Sequence, residues 1–208
     1  SVELTAVNAA VVTEASDLVL GAITSASLTI GAAGSISDSG DLDIGGNAGF
    51  TTTASNGNLE LDQASDIDGV LSVTTDGTGT TSVTNLTDTI DLGAITTASL
   101  TIGAAGSISD SGVLNIGGNA GFTTTASNGN LELDQASDID GVLSVTTDGT
   151  GTTSVTNLTD TIDLGAITTA SLTIGTAGSI SNSGVLDVGG TSNFATHVDD
   201  ATIILTNP

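Results

Sequence analysis

Apolar residues in this chain come in short alternating bursts. Leu100-Thr-Ile102, Leu114-Asn-Ile116, Leu131-Glu-Leu133, Leu143-Ser-Val145 and Ile162-Asp-Leu164 each place two aliphatic side chains on one face and a polar one on the other. Alternation over three to five residues is the pattern of a half-buried strand. Between the bursts stand turn formers: Asp110-Ser-Gly, Gly117-Gly-Asn, Asn128-Gly-Asn, Asp140-Gly and Asp148-Gly-Thr-Gly. Asn and Asp tolerate a left-handed backbone, and Gly adopts one at no steric cost. No stretch carries the i, i+3, i+4, i+7 apolar stripe of a helix. The pattern predicts an all-β chain of many short strands.

The bursts recur. Residues 93–164 repeat residues 21–92, changed only where Ser25 becomes Thr97, Asp41 becomes Val113 and Asp43 becomes Asn115. A partial third copy runs over 165–208 and loses the text after about Gly190; residues 1–20 are a degenerate piece of a preceding one. A fixed period of this kind marks a stacked array, in which no single unit buries its own apolar face. One continuous domain over 1–208 follows. The expected architecture is a β-solenoid, short strands wound into coils that stack as parallel sheets about 4.8 Å apart. An antiparallel meander turning at Asn128-Gly129 is the competing arrangement. Gly21, Gly45, Gly69, Gly93, Gly117, Gly141, Gly165 and Gly189 lie 24 apart, which suggests about three coils of ~24 residues per 72-residue repeat and eight to nine coils in all. Four coils of about 18 are the other division.

Charge narrows the function. The chain has 24 acidic residues, no Lys or Arg, one His, and mean hydropathy +0.33. A nucleic-acid binder needs cations to displace counterions from phosphate. Docking on an anionic membrane is disfavoured for the same reason. No apolar run approaches the roughly 18 residues that span a bilayer. The acid has no Lys or Arg to pair with, so solvent or dissolved cations must meet it. There is no Cys, which excludes disulfides as the stabiliser and is compatible with export. The chain opens without Met and stops mid-pattern, so it reads as a piece of a longer protein.

The run ASLTIGAAGSISDSGVLNIGGNAGFTTTASNGNLELDQASDIDGVLSV, with Phe50, Phe122 and Phe194 at matching positions, resembles the repeats of very large bacterial surface and secreted proteins. It is similar to the filamentous-haemagglutinin-like β-solenoid adhesins. The resemblance implies a right-handed parallel β-helix, an extracellular or cell-surface location in bacteria, and roles in adhesion, biofilm or filament formation. The expected partners are a second copy of the chain or a host or neighbouring-cell surface.

Candidate chemistry is sparse. Asp62, Asp66 and Asp68, repeated as Asp134, Asp138 and Asp140, are the candidate metal ligands, with Ca2+ as the cofactor their oxygens suit. The bland alternative is a set of solvated turn carboxylates. Paired carboxylates suffice in principle for glycoside hydrolysis, but an active site is one special cleft and this motif is copied verbatim. A non-enzymatic structural role is therefore expected, with a carbohydrate-active β-helix enzyme as the alternative. His197 reads as a lone surface His. Thr51-Thr-Thr, Thr80-Thr81 and Thr96-Thr97 raise an ice-binding surface, but in a 24-residue frame they do not stack. Asn85-Leu-Thr and Asn157-Leu-Thr match the glycosylation sequon by chance.

Overall fold

The computed structural model describes residues 1–207, apart from the side chains of Ala6, Val7, Asn85 and Asn157. The described residues form 24 strands, from Val2–Glu14 to Ile203–Ile204, and no helix. Every paired strand runs parallel to its neighbour, in one continuous sheet that winds as a β-solenoid. The hairpin arrangement is thereby excluded. At Asn128-Gly129 the chain makes a local turn, Gly129 N–H donating to Ala126 O at 2.9 Å, while the flanking strands pair with the coils below and above.

Two ladders run the length of the solenoid. One passes through Leu18, Ile36, Leu59, Thr81, Leu100, Ala120, Leu143, Leu164 and Asn182. The other passes through Ala10, Leu28, Ala48, Leu71, Leu92 and Asp110, and its strands continue as Ile108, Leu131, Thr153, Leu172 and Ser192. The steps along the first ladder average about 20 residues per coil, and the chain makes about ten coils. Individual steps vary: Leu18 to Ile36 is a short coil and Ile36 to Leu59 a longer one. At the strand spacing the rod is about 48 Å long.

The 24-residue glycine frame is not the coil frame. Ile44 sits under Ile67, which brings Gly46, not Gly45, beneath Gly69: Gly69 N–H donates to Gly46 O at 3.2 Å. Glycine at 69 reflects this close approach, because a Cβ there would fall 2.5 Å from the carbonyl carbon of Gly46. The frame misled because only three of those glycines are independent.

A shorter coil changes how the copies are arranged. Each 72-residue unit fills three whole coils plus roughly half of a fourth. Ile36, Leu59, Thr81 and Leu100 stack on the first ladder; the same text one copy later, Ile108, Leu131, Thr153 and Leu172, stacks on the second. Successive copies therefore face opposite ways, about half a turn apart.

The interior is filled by the inward half of each burst. Leu20, Leu42, Leu61, Leu92, Leu114 and Leu164 are all buried. Each such side chain contributes roughly 1.5–3 kcal/mol of transfer free energy. Phe50 lies between Ile30 and Val73, and Phe122 between Ile102 and Val145. Corners are closed by hydroxyls: Thr75 Oγ1 donates to Gly79 O at 2.8 Å, and Thr75 and Thr81 meet Thr97 Oγ1 at 3.0 and 3.1 Å. Thr147, Thr153 and Thr169 rebuild the same knot one copy later. Within that first corner Asp76-Gly77 turns with Gly77 at φ +58, the left-handed region that favours glycine.

Candidate functional surface

The predicted acidic cluster is dispersed by the winding. Asp62 follows strand Leu59–Leu61, Asp66 points outward from strand Ser65–Ile67, and Asp68 lies in the next turn with its N–H on Ile44 O at 2.9 Å. Asp134, Asp138 and Asp140 occupy the same stations half a turn round. Among the described residues, no three His, Asp or Glu side chains converge in a metal-holding arrangement.

The structure instead groups Asp38 with the Asp62 turn. Its carboxylate accepts N–H bonds from Asp62 at 2.9 Å and Gln63 at 3.2 Å. Asp110 holds Asp134 and Gln135 in the same way. Burial pushes both carboxyl groups above the usual carboxylate range; the nearby Asp62 or Asp134 charge adds to this, and the backbone donors oppose it. In the third copy the position is Asn182, which accepts from Thr206 N at 2.8 Å and also donates to Gly184 O and Asn207 O. This loop brace was not legible in the sequence, where Asp38 looked like an ordinary turn residue.

Elsewhere the outward rows keep carboxylates apart. One row reads Asp91, Ser109, Glu132, Ser154, Thr173, Asn193. Its acids are two coils apart, about 10 Å, beyond the physiological Debye length of about 8 Å. Asp91, Asp138 and Asp163 each keep one carboxylate oxygen shielded and without a hydrogen-bond partner. A second row breaks the spacing rule, with Asp43 directly under Asp66; in the next copy Asn115 lies under Asp138. Like charges facing one another across a sheet are destabilising. Asp43→Asn, which copies the second unit, should raise the melting temperature in low salt, by up to about 1 kcal/mol of stability. The gain should vanish in molar NaCl, and a loss in both buffers would refute the repulsion.

The Thr expectation is corrected by the shorter coil. Thr51, Thr74 and Thr96 do stack, exposed, on three successive coils, and Thr123, Thr146 and Thr168 repeat the row on the other ladder. Each row ends after three residues, at Asn115 and Asp187. The Asn85 and Asn157 side chains lie outside the described residues. His197 occupies the place of Thr125, its backbone N–H on Thr176 O at 3.0 Å.

A surface groove of about 600 Å³ runs along Ala64, Thr87, Gly103 and Thr125, and none of its lining residues ionises. Its counterpart one copy on, about 370 Å³, is lined by Leu158, Thr159, Thr176, Ala177 and His197.

A family model described as repeats of unknown function (DUF5649) matches residues 7–74, 78–146 and 150–208. The chain belongs to this DUF5649 family. No curated protein and no solved structure matches it. The three DUF5649 matches begin at residues 7, 78 and 150, so the family's own unit follows the sequence period. The first match starts inside strand Val2–Glu14, which makes that strand part of a full repeat.

Proposed function

We propose that this DUF5649 array is a non-enzymatic structural rod, an acidic stalk or filament component of a bacterial cell surface or extracellular matrix. The observation that carries the reading is the swap of ladders between copies. Most outward features of the unit are shown on both sides of the rod and at more than one height, which suits a spacer or a multivalent surface and is no use to a single catalytic cleft. The resemblance to filamentous-haemagglutinin-like adhesins supports the surface location. Antibodies raised on the chain should label intact, unpermeabilised cells of the source; labelling only after lysis rejects the location. Removing residues 93–164 should leave a folded rod shortened by about 17 Å, three and a half coil spacings, and a collapsed or unfolded product rejects the spacer.

A second reading, a calcium-stabilised fibre, is favoured by the Asp43–Asp66 stack, where two carboxylates lie one coil apart. Millimolar calcium should then raise the melting temperature of the native chain and act less on Asp43→Asn. An identical melt in calcium and in chelator removes that reading.

A further inference from the structure

Six steps in the chain join Asn or Asp to Gly: Asn56-Gly57, Asp68-Gly69 and Asp76-Gly77, and the same three one copy later at Asn128, Asp140 and Asp148. One uncatalysed reaction is available to all of them. The glycine nitrogen attacks the preceding side-chain carbon and closes a five-membered imide; glycine, with no side chain, leaves that nitrogen least hindered. By chemistry alone the two Asn-Gly steps react fastest, because ammonia leaves an amide more readily than water leaves a carboxyl group.

The fold ranks the six differently. At four of them a main-chain carbonyl holds the glycine N–H: Gly57 donates to Ala54 O at 2.9 Å, Gly129 to Ala126 O at 2.9 Å, Gly69 to Gly46 O at 3.2 Å and Gly141 to Gly118 O at 3.0 Å. At the other two the N–H donates to the very side chain its nitrogen would attack. Gly77 binds Asp76 Oδ1 and Gly149 binds Asp148 Oδ1, both at 2.9 Å. The carboxyl carbon is one bond behind that oxygen, so nitrogen and carbon stand on the order of 3.5 Å apart, a near-attack spacing. Both steps are exposed, so water reaches them. The same contact forms at Asp88-Thr89 and Asp160-Thr161, at 2.7 Å, but there a β-branched side chain crowds the attacking nitrogen.

We propose that Asp76-Gly77 and Asp148-Gly149 are sites of spontaneous isoaspartate formation in the folded rod. A bond forms between the glycine nitrogen and Cγ, and the carboxyl hydroxyl leaves as water with the amide proton. Water then opens the imide. Attack at Cγ restores aspartate. Attack at the main-chain carbonyl breaks its bond to the glycine nitrogen and leaves the chain running through Cβ and Cγ. The water gained balances the water lost, and no other reactant takes part. The product adds one backbone carbon to a closely bonded corner: Gly79 N–H donates to Asp76 O at 3.0 Å, Thr75 Oγ1 to Gly79 O at 2.8 Å and Thr78 N–H to Ser55 O at 2.6 Å. The family matches stop at residues 74 and 146 and resume at 78 and 150, so each site lies between two DUF5649 units. The array therefore ages at its joints.

The test holds the folded 208-residue chain in mildly acid water enriched in oxygen-18, then digests it with a protease that cuts before Asp and not before isoaspartate. Residues 76–87 and 148–159 have the same sequence, so both sites are read in one peptide. Heavy oxygen should enter at these two positions and the uncut form should accumulate, while Asp68, Asp88 and their copies stay unlabelled. A second chain carrying Asp76→Asn and Asp148→Asn, shown folded by circular dichroism, removes the difference in leaving group. In it, positions 76 and 148 should lose ammonia about tenfold faster than Asn56 and Asn128. In concentrated urea all four should react alike. No label at positions 76 and 148 of the folded chain, equal labelling at 68 and 140, or equal rates at the four Asn-Gly steps of the folded variant overturns the proposal.

Discussion

Phe122→Ala should cost about 3–5 kcal/mol, the range for emptying a large buried aromatic site, and Phe194→Ala should cost well under half of that. The two residues are the same letter of the repeat. Phe122 is 2% exposed and is packed between Ile102 below and Val145 above. Phe194 has Ile174 below and, among the described residues, no coil above, and it is only partly buried. A coil cannot collapse into the space left at Phe122, because its backbone is held on both sides by the ladder. In a stacked array, stability is approximately a sum of unit and interface terms, so the mid-rod cavity weakens two interfaces and the terminal one a single interface. Urea melts of both variants decide this. Equal losses would mean that the rod unfolds without regard to its coils.

Much of this architecture was readable before the structure. The bursts Leu131-Glu-Leu133 and Ile162-Asp-Leu164 gave strands with the right face buried, and the sequence period gave the stack. The coil length was not readable, because a solenoid does not require its coils to be equal. Leu18 to Ile36 turns tightly, while Ile36 to Leu59 spends more residues on the Asn47 and Asn56-Gly57 corners. A repeat of three and a half coils leaves no trace in one-dimensional text, since the half turn shows only once ladders are paired. The placement of the acidic candidates was unreadable for the same reason. Asp62, Asp66 and Asp68 are near in sequence, yet they point along a corner, outward from a strand and into a turn. Asp38, a full coil before Asp62, is the group that reaches that corner.

Acidification from neutral pH toward pH 4 should raise the melting temperature of this protein. Burial raises the Asp38 and Asp110 carboxyl groups above their ordinary value, so the folded chain takes up protons at a pH where the unfolded chain still does not. Stability linked to such groups is fully present below the unfolded value near 3.9 and is lost as pH rises through the folded value. Proteins usually lose stability in acid because protonation breaks carboxylate ion pairs. With no Lys or Arg, this chain has no such side-chain pairs to break, and every proton added lowers the mutual repulsion of 24 acids held on one rod. Asp110→Asn should raise the melting temperature at pH 7 and flatten its slope against pH, since Asn182 already fills this station, with its oxygen on Thr206 N and its amide on Gly184 O and Asn207 O. Scanning calorimetry of the native chain and this variant at pH 7 and pH 4.5 provides the comparison. A melting temperature that falls on acidification, or a variant with an unchanged slope, would show that the braced corner carries no proton-linked strain.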